Sequence, residues 1–243
     1  MAGVVLAKEL AKKFRKIVLI ESGGREFSMD TQRLYEPSRQ SDSHYPDPTF
    51  SRMRFLGGSS NHWENNTSPL DPIDFEHRAW IENSGWPISY NDLAPYYARA
   101  GNYVGVGNDG YNTLHWAETL GKNDLVADST VLKTAIAKAA KPAVRFFESY
   151  GDQISGDNAV EIFVHSNVVA VDYNHESGQI DKVYFESHPG LRHEVKAKAY
   201  VMCFGGIENA RMLLAFNRKH ENKLGNQYDL SLIHISEPTR QDR

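Results

Sequence analysis

The apolar positions of the chain fall into short periodic blocks separated by polar, proline-bearing stretches. Over residues 3–14, GVVLAKELAKKF, Leu6, Leu10 and Phe14 recur at i, i+4 and i+8 with Ala7 and Ala11 beside them, the spacing of an amphipathic helix. Lys12, Lys13, Arg15 and Lys16 follow and suit the negative end of a helix dipole. Residues 17–20, IVLI, are a β-branched run of the kind buried in a parallel sheet, and Glu21, Ser22, Gly23 and Gly24 end it. No period persists from 25 to 55, where Pro37, Pro46 and Pro48 sit among Ser, Asp and Gln; a long surface excursion is expected. Residues 57–63, GGSSNHW, break the chain sharply. Ser89, followed by Asp92, predicts a capped helix over 90–104, and a second helix is expected over 128–141. Residues 160–185 alternate well enough for a hairpin turning at Glu176, Ser177 and Gly178. A strand over 197–204 should lead through Gly205 and Gly206 into a helix over 207–216. Alternating helices and short buried strands argue for an α/β fold.

Composition narrows the function classes. The 243 residues can bury a real core. Lys and Arg number 27 against 31 Asp and Glu, a net charge of −4 that offers no basic excess for nucleic acid. The apolar runs fall far short of the ~20 residues that span a bilayer, and Lys8 interrupts the first run too early for a signal peptide. Cys203 is the single cysteine, so neither an internal disulfide nor a multi-thiolate metal site is available. His44, His62 and His77 lack ligand spacing, which argues against a metal site there.

Both ends look incomplete. Residues 231–243, SLIHISEPTRQDR, read as translated sequencing-adapter sequence or as an ordinary disordered tail, and carry no expected function. A helix opening at Gly3 without a preceding strand is half of a βαβ unit, which predicts a strand upstream. In a dinucleotide-binding fingerprint the last glycine lets the helix pack on the sheet, and an acid about 20 positions on accepts the ribose hydroxyls. Gly3 and Glu21 stand 18 apart and suit those places, although a plain helix-strand-turn has the same pattern.

Four longer blocks carry a resemblance: residues 2–24, AGVVLAKELAKKFRKIVLIESGG; 54–80, RFLGGSSNHWENNTSPLDPIDFEHRAW; 84–100, SGWPISYNDLAPYYARA; and 199–214, AYVMCFGGIENARMLL. With FVHSNVVAV at 163–171 and LGNQYDL at 224–230, the chain resembles the glucose-methanol-choline (GMC) oxidoreductases, FAD enzymes that oxidise alcohols and sugars. The resemblance implies an incomplete, Rossmann-like, doubly wound FAD-binding sheet over residues 1–230, with part of a substrate domain. It places Gly3 and Glu21 at the ADP half of FAD. Gly57 and Gly58 would bring backbone amides to the isoalloxazine, and Ser59, Ser60 and Asn61 would add hydrogen bonds. His62 stands where pyranose-oxidase-like relatives bond a histidine covalently to the flavin; a neutral histidine beside a noncovalent flavin is the other reading. Val168 would meet the adenine through its backbone, or be plain core. Gly205 and Gly206 would open a helix, bearing Glu208, Asn209 and Arg211, that closes over the ADP portion. A solvated Glu208–Arg211 pair is equally expected. Asp71, Asp74, Glu76 and Arg78 read as a surface turn and helix cap.

The sequons at Asn65 and Asn66 fall inside the presumed flavin segment and are discounted. The family's proton-abstracting histidine lies near its C-terminus, beyond the matched residues, so no catalytic residue is nameable here. The expected parent is a CH–OH oxidoreductase passing hydride to flavin N5, with substrate and electron acceptor open, and this fragment is expected to be inactive. Two alternatives stay open: a different two-dinucleotide flavoprotein, such as a hydroxylase or disulfide reductase, against which stand the absent Cys-x-x-x-x-Cys pair and the GGSSNHW segment, and a non-catalytic module that keeps the fold without flavin.

Overall fold

The computed structural model describes residues 1–36, 46–81, 84–123, 129 and 131–220; the expectations for 224–230 and for the tail lie outside them. The apolar run forms strand β1, Ile17–Ile20, which pairs in parallel with β4, Val160–Phe163, in the register Ile17 to Val160 and Ile20 to Phe163. Helix α1, Ala2–Ala11, precedes β1 and packs against α6, Phe146–Ser155, the helix that leads into β4. The helix forms where expected, but its buried face differs: Val4 and Ala7 are enclosed, while Leu6 and Phe14 stay exposed. Small side chains win because they let the helix axis approach its neighbours closely, which leucine and phenylalanine would prevent.

The expected hairpin over 160–185 is two features. β4 belongs to the parallel pair, and the chain turns at His165, whose φ is 52°. His165 N–H then donates to the Gly23 carbonyl at 2.8 Å and Ser166 N–H to the Glu21 carbonyl at 2.9 Å. The hairpin itself joins β5, Asn167–Asn174, to β6, Gln179–His188, through the expected turn, and β7, Leu191–Val195, adds a third antiparallel strand. Helix α7, Gly206–Lys219, lays Met212 and Phe216 against Val168, Val171, Tyr173, Ile180, Met202 and Phe204. The strand expected over 197–204 does not form. Extended chain becomes a strand only where another strand takes its hydrogen bonds; among the described residues none pairs with it, and the Asn209 side chain instead accepts from Phe204 N–H at 3.0 Å and donates to the Met202 carbonyl at 3.3 Å.

Two compact units result among the described residues, one made of residues 1–62 and 145–220, the other of 63–144. The first is the α/β unit above. In it the excursion over 25–55 is not wholly a surface loop, because Gln32 is 3% exposed. Its amide donates at 2.6 Å to the carbonyls of both Thr49 and Arg52 and accepts from Arg54 N–H at 3.0 Å. Short helices α2, Met29–Gln32, and α3, Pro48–Ser51, flank this tether.

The second unit holds α4, Tyr90–Tyr103, and α5, Thr113–Leu120. Ser89 and Asp92 make the expected capping box. No helix occupies 131–137, contrary to expectation; Lys138–Ala139 (β3) instead pairs antiparallel with Asn66–Thr67 (β2). There the chain gives its backbone bonds to a strand partner, Asn66 and Thr67, rather than to a helix, whereas α5 is held at both ends, by Asn112, whose side chain accepts from His115 N–H, and by left-handed Gly121. Asp71 and Asp74 form a second capping box. Their segment is not all surface, since Asp74 is 1% and Arg78 7% exposed.

Candidate functional site

The amino end of α1 and the carboxyl end of β1 meet. A side chain at Gly3 would touch Leu19 Cδ1 at 3.4 Å and Cys203 Cβ at 3.5 Å, so the bare glycine lets the helix ride close on the strand. No side chain caps this helix. The Met1 ammonium donates to the Gly57 carbonyl at 3.2 Å. Burial holds that ammonium below its ordinary pKa, and the nearby Glu21 carboxylate opposes the shift. One small region therefore gathers an uncapped helix N-terminus, an acid at a strand's carboxyl end, and the Gly57 turn. Ligands of parallel α/β sheets sit beyond such carboxyl ends. Glu21 Oε1 accepts from Gly23 N–H at 2.7 Å and Ser22 Oγ–H at 3.3 Å; its Oε2 has no hydrogen-bond partner among the described residues.

The glycines after Glu21 seat the segment over residues 54–58. Gly24 bridges Phe55, Leu56 N–H donates to the Gly24 carbonyl at 3.0 Å, and a Cβ on Gly23 would fall on the Arg54 carbonyl. Gly57 and Gly58 then turn the chain with φ of 98° and 58°, the left-handed region that favours glycine. A 3₁₀ turn, Gly58–Asn61, follows. Its side chains are largely committed to holding the turn. Ser60 is fully enclosed, donating to the Gly57 carbonyl at 2.8 Å and accepting from Phe146 N–H at 3.3 Å. Asn61 Nδ2 donates to the Leu56 carbonyl at 3.0 Å, and Ser59 Oγ accepts from Met53 N–H at 3.4 Å. Arg145 locks the same turn by donating to the Ser60 carbonyl at 2.9 Å. His62 is exposed, and its ring hydrogen-bonds to no described residue.

Gly205, with φ 89° and ψ 161°, stands at the N-cap of α7, and Gly206 opens the helix. Glu208 pairs with Arg211 at 2.8 Å, as expected, but also faces Arg52 at 3.5 Å and is only 13% exposed. Val168 lies on β5 opposite Phe185 and packs on the α7 core. Sequence reasoning missed four residues of this neighbourhood: Gln32, Tyr35, Arg52 and Arg54. The two guanidiniums lie over the Tyr35 ring at 5.0 and 4.7 Å, and Arg54 Nη2 donates to Asn167 Oδ1 at 3.0 Å. Burial raises the Tyr35 pKa, with Arg54 opposing. The only signal in the sequence was the pair of arginines just before LGG. Among the described residues no group of three His, Cys, Asp or Glu is placed to hold a metal ion.

No family model matches the sequence. The chain is 25% identical, over 286 aligned positions, to a 2-methyl-1,2-propanediol dehydrogenase of Mycolicibacterium austroafricanum, an alignment covering 94% of this chain and 51% of that protein. Its fold is similar to that of pyridoxine 4-oxidase from Mesorbium loti, with a TM-score of 0.53, 18% identity, and coverage of 86% of this chain and 48% of the other. The chain thus spans about half the length of the proteins it matches. Both are oxidoreductases by name, and the fold is the mixed α/β fold of one of them. Among the described residues no helix is long and apolar enough to cross a membrane.

Proposed function

We propose that this chain is the FAD-binding part of a GMC-type oxidoreductase that oxidises a CH–OH group of an alcohol or sugar. The observation that carries the reading is the convergence at one point of the α1 N-terminus, Glu21 and the Gly57–Gly58 turn. The donor set fits the cofactor. Free N–H groups at an uncapped helix start suit a pyrophosphate, and the unengaged Glu21 Oε2 suits ribose hydroxyls. Gly57 and Gly58 present backbone without side chains where a flat ring must come close. Because Ser60 and Asn61 are committed within their turn, they act by fixing its shape. Ser59, Val168, Gly205 and Gly206 complete the proposed contacts, with the α7 N-terminus a second source of free N–H groups.

Bound there, FAD would supply hydride uptake at N5. The chain's own residues bind and orient it; the base that removes the alcohol proton belongs to the proposed remainder of the parent protein, and this part alone is inactive. In the parent, a further strand would pair with the free edge of β1 and complete a doubly wound sheet over residues 1–230. The aliphatic diol in the name of the dehydrogenase relative favours alcohol chemistry over the alternatives of another flavoprotein class or a flavin-free module.

The parent protein, extended past both ends of this chain, should purify yellow, and an oxidisable alcohol added without oxygen should bleach it. A colourless protein that takes up no FAD would overturn the reading. His62, exposed and with its ring hydrogen-bonded to no other described residue, would offer a ring nitrogen to the flavin edge. If it does so covalently, acid-denatured protein keeps its flavin on the peptide containing His62, and His62→Ala releases it. Complete release from the wild type leaves His62 a noncovalent neighbour.

A further inference from the structure

Three aromatic rings meet where the β5–β6 turn approaches the end of α7. Tyr173, near the end of β5, touches His175 edge-on at 5.1 Å between centroids and His220 at 6.0 Å, and the two imidazoles are 5.8 Å apart. His175 sits on the exposed turn, and its ring hydrogen-bonds to no described residue. His220 is the C-cap of α7, and its Nε2 lies 3.1 Å from the Val171 carbonyl. A carbonyl only accepts, so Nε2 carries the proton. The neutral ring then keeps its lone pair on Nδ1, with orientation fixed by that bond. Metal-ligating histidines are prepared in this way, one nitrogen donating to a carbonyl and the other left for the ion.

The spacing of the rings agrees. A metal–nitrogen distance of about 2.1 Å puts each ring centre about 3.2 Å from the ion, so rings at a tetrahedral angle stand about 5.2 Å apart and opposed rings about 6.4 Å. The observed 5.8 Å lies between these limits. Two imidazoles without a thiolate suit a late first-row divalent ion with water in its remaining positions. The Tyr173 ring walls one side, 5.1 Å from His175 and 6.0 Å from His220. We propose that His175 and His220 form a two-histidine site for such an ion, zinc being the probe of choice, and that the ion clips the hairpin turn to α7. The site is independent of the flavin reading, since it uses none of those residues.

Calorimetric titration of the chain with ZnCl2 tests it. The wild type should show one saturable site; His175→Gln and His220→Gln should each weaken it about tenfold or more, because each removes one arm of a chelate, and the double variant should abolish it. His115→Gln, elsewhere in the chain, should leave it unchanged. Ring-nitrogen NMR should show zinc shifting Nδ1 of His220 while Nε2 keeps its proton. Should His220→Gln disturb the fold, circular dichroism reveals it, and His175→Gln on the exposed turn decides alone. Absence of saturable binding in the wild type, or unchanged affinity in His175→Gln, overturns the site.

Discussion

Residues 1–62 with 145–220 enclose Val4, Ala7, Leu56, Phe146, Ile154, Val160, Ala170, Val183, Phe185, Met212 and Phe216, whereas residues 63–144 enclose Phe75 as their one such apolar side chain among those described. The second unit leaves Trp80, Leu114, Leu120, Val131 and Leu132 exposed. It is ordered instead by polar tethers. Asn65, fully enclosed with φ 59°, donates to the Val104 carbonyl at 2.9 Å and accepts from Val144 N–H at 3.0 Å. Trp63 Nε1–H donates to the Val144 carbonyl at 2.8 Å, and two capping boxes fix helix starts. Apolar burial is non-directional and tolerates local repacking, while each tether is a single geometry with a desolvation penalty behind it. The two units should therefore fail differently.

The largest effect is expected in the apolar core. Phe146→Ala, at a site 2% exposed, should destabilise the first unit by about 3–5 kcal/mol, read by urea denaturation. Leu114→Ala, at a site 67% exposed, should stay within about 0.5 kcal/mol. Equal losses from the two would erase the contrast between the units.

Next comes the tether. Asn65→Ala leaves the half-buried Val144 N–H and Val104 carbonyl without their partner, at about 1 kcal/mol for each group so stranded. Hydrogen exchange should speed at Val144 and leave β1 and β4 protected. Spread of the faster exchange into β1 would mean that the units do not fail separately.

The smallest effect concerns acid. The Asp92 carboxyl accepts from the Ser89 N–H and hydroxyl, backbone first, which holds it below the usual carboxylate range. Its folded pKa being depressed, the cap's contribution is present above the unfolded value and is lost as pH falls through the folded one. Helicity of α4 should hold from neutral pH to the ordinary aspartate range and decline below it. Asp92→Asn should flatten that decline; an unchanged acid limb assigns it to other carboxylates.

The same contrast explains what the sequence disclosed. β1 was legible because four apolar residues in a row have few other fates, and α4 because Ser89 and Asp92 state a cap outright. The turn at 176–178 followed from Gly178, whose φ is 69°. Helix α6 was missed although Phe146, Tyr150 and Ile154 recur at i, i+4 and i+8 with Gly156 at its end, a signal present but overlooked. Gln32 was not readable, because a glutamine among serines and prolines looks solvated until three distant backbone groups close on it. In the candidate site, Glu21 and the glycines were legible by type and spacing. That Ser60 and Asn61 serve their own turn was not, since it depends on where Phe146 and Leu56 arrive in space.

The central claim is that Glu21 and the α1 N-terminus hold the ADP half of FAD. Its most direct test is flavin retention by the parent protein and its Glu21→Ala variant after exhaustive dialysis, followed by visible absorbance. A carboxylate accepting charge-assisted hydrogen bonds, worth about 1.5–3 kcal/mol each, predicts that the variant loses roughly tenfold or more in FAD affinity and emerges pale while its circular dichroism is unchanged. Identical absorbance from wild type and variant would contradict the claim.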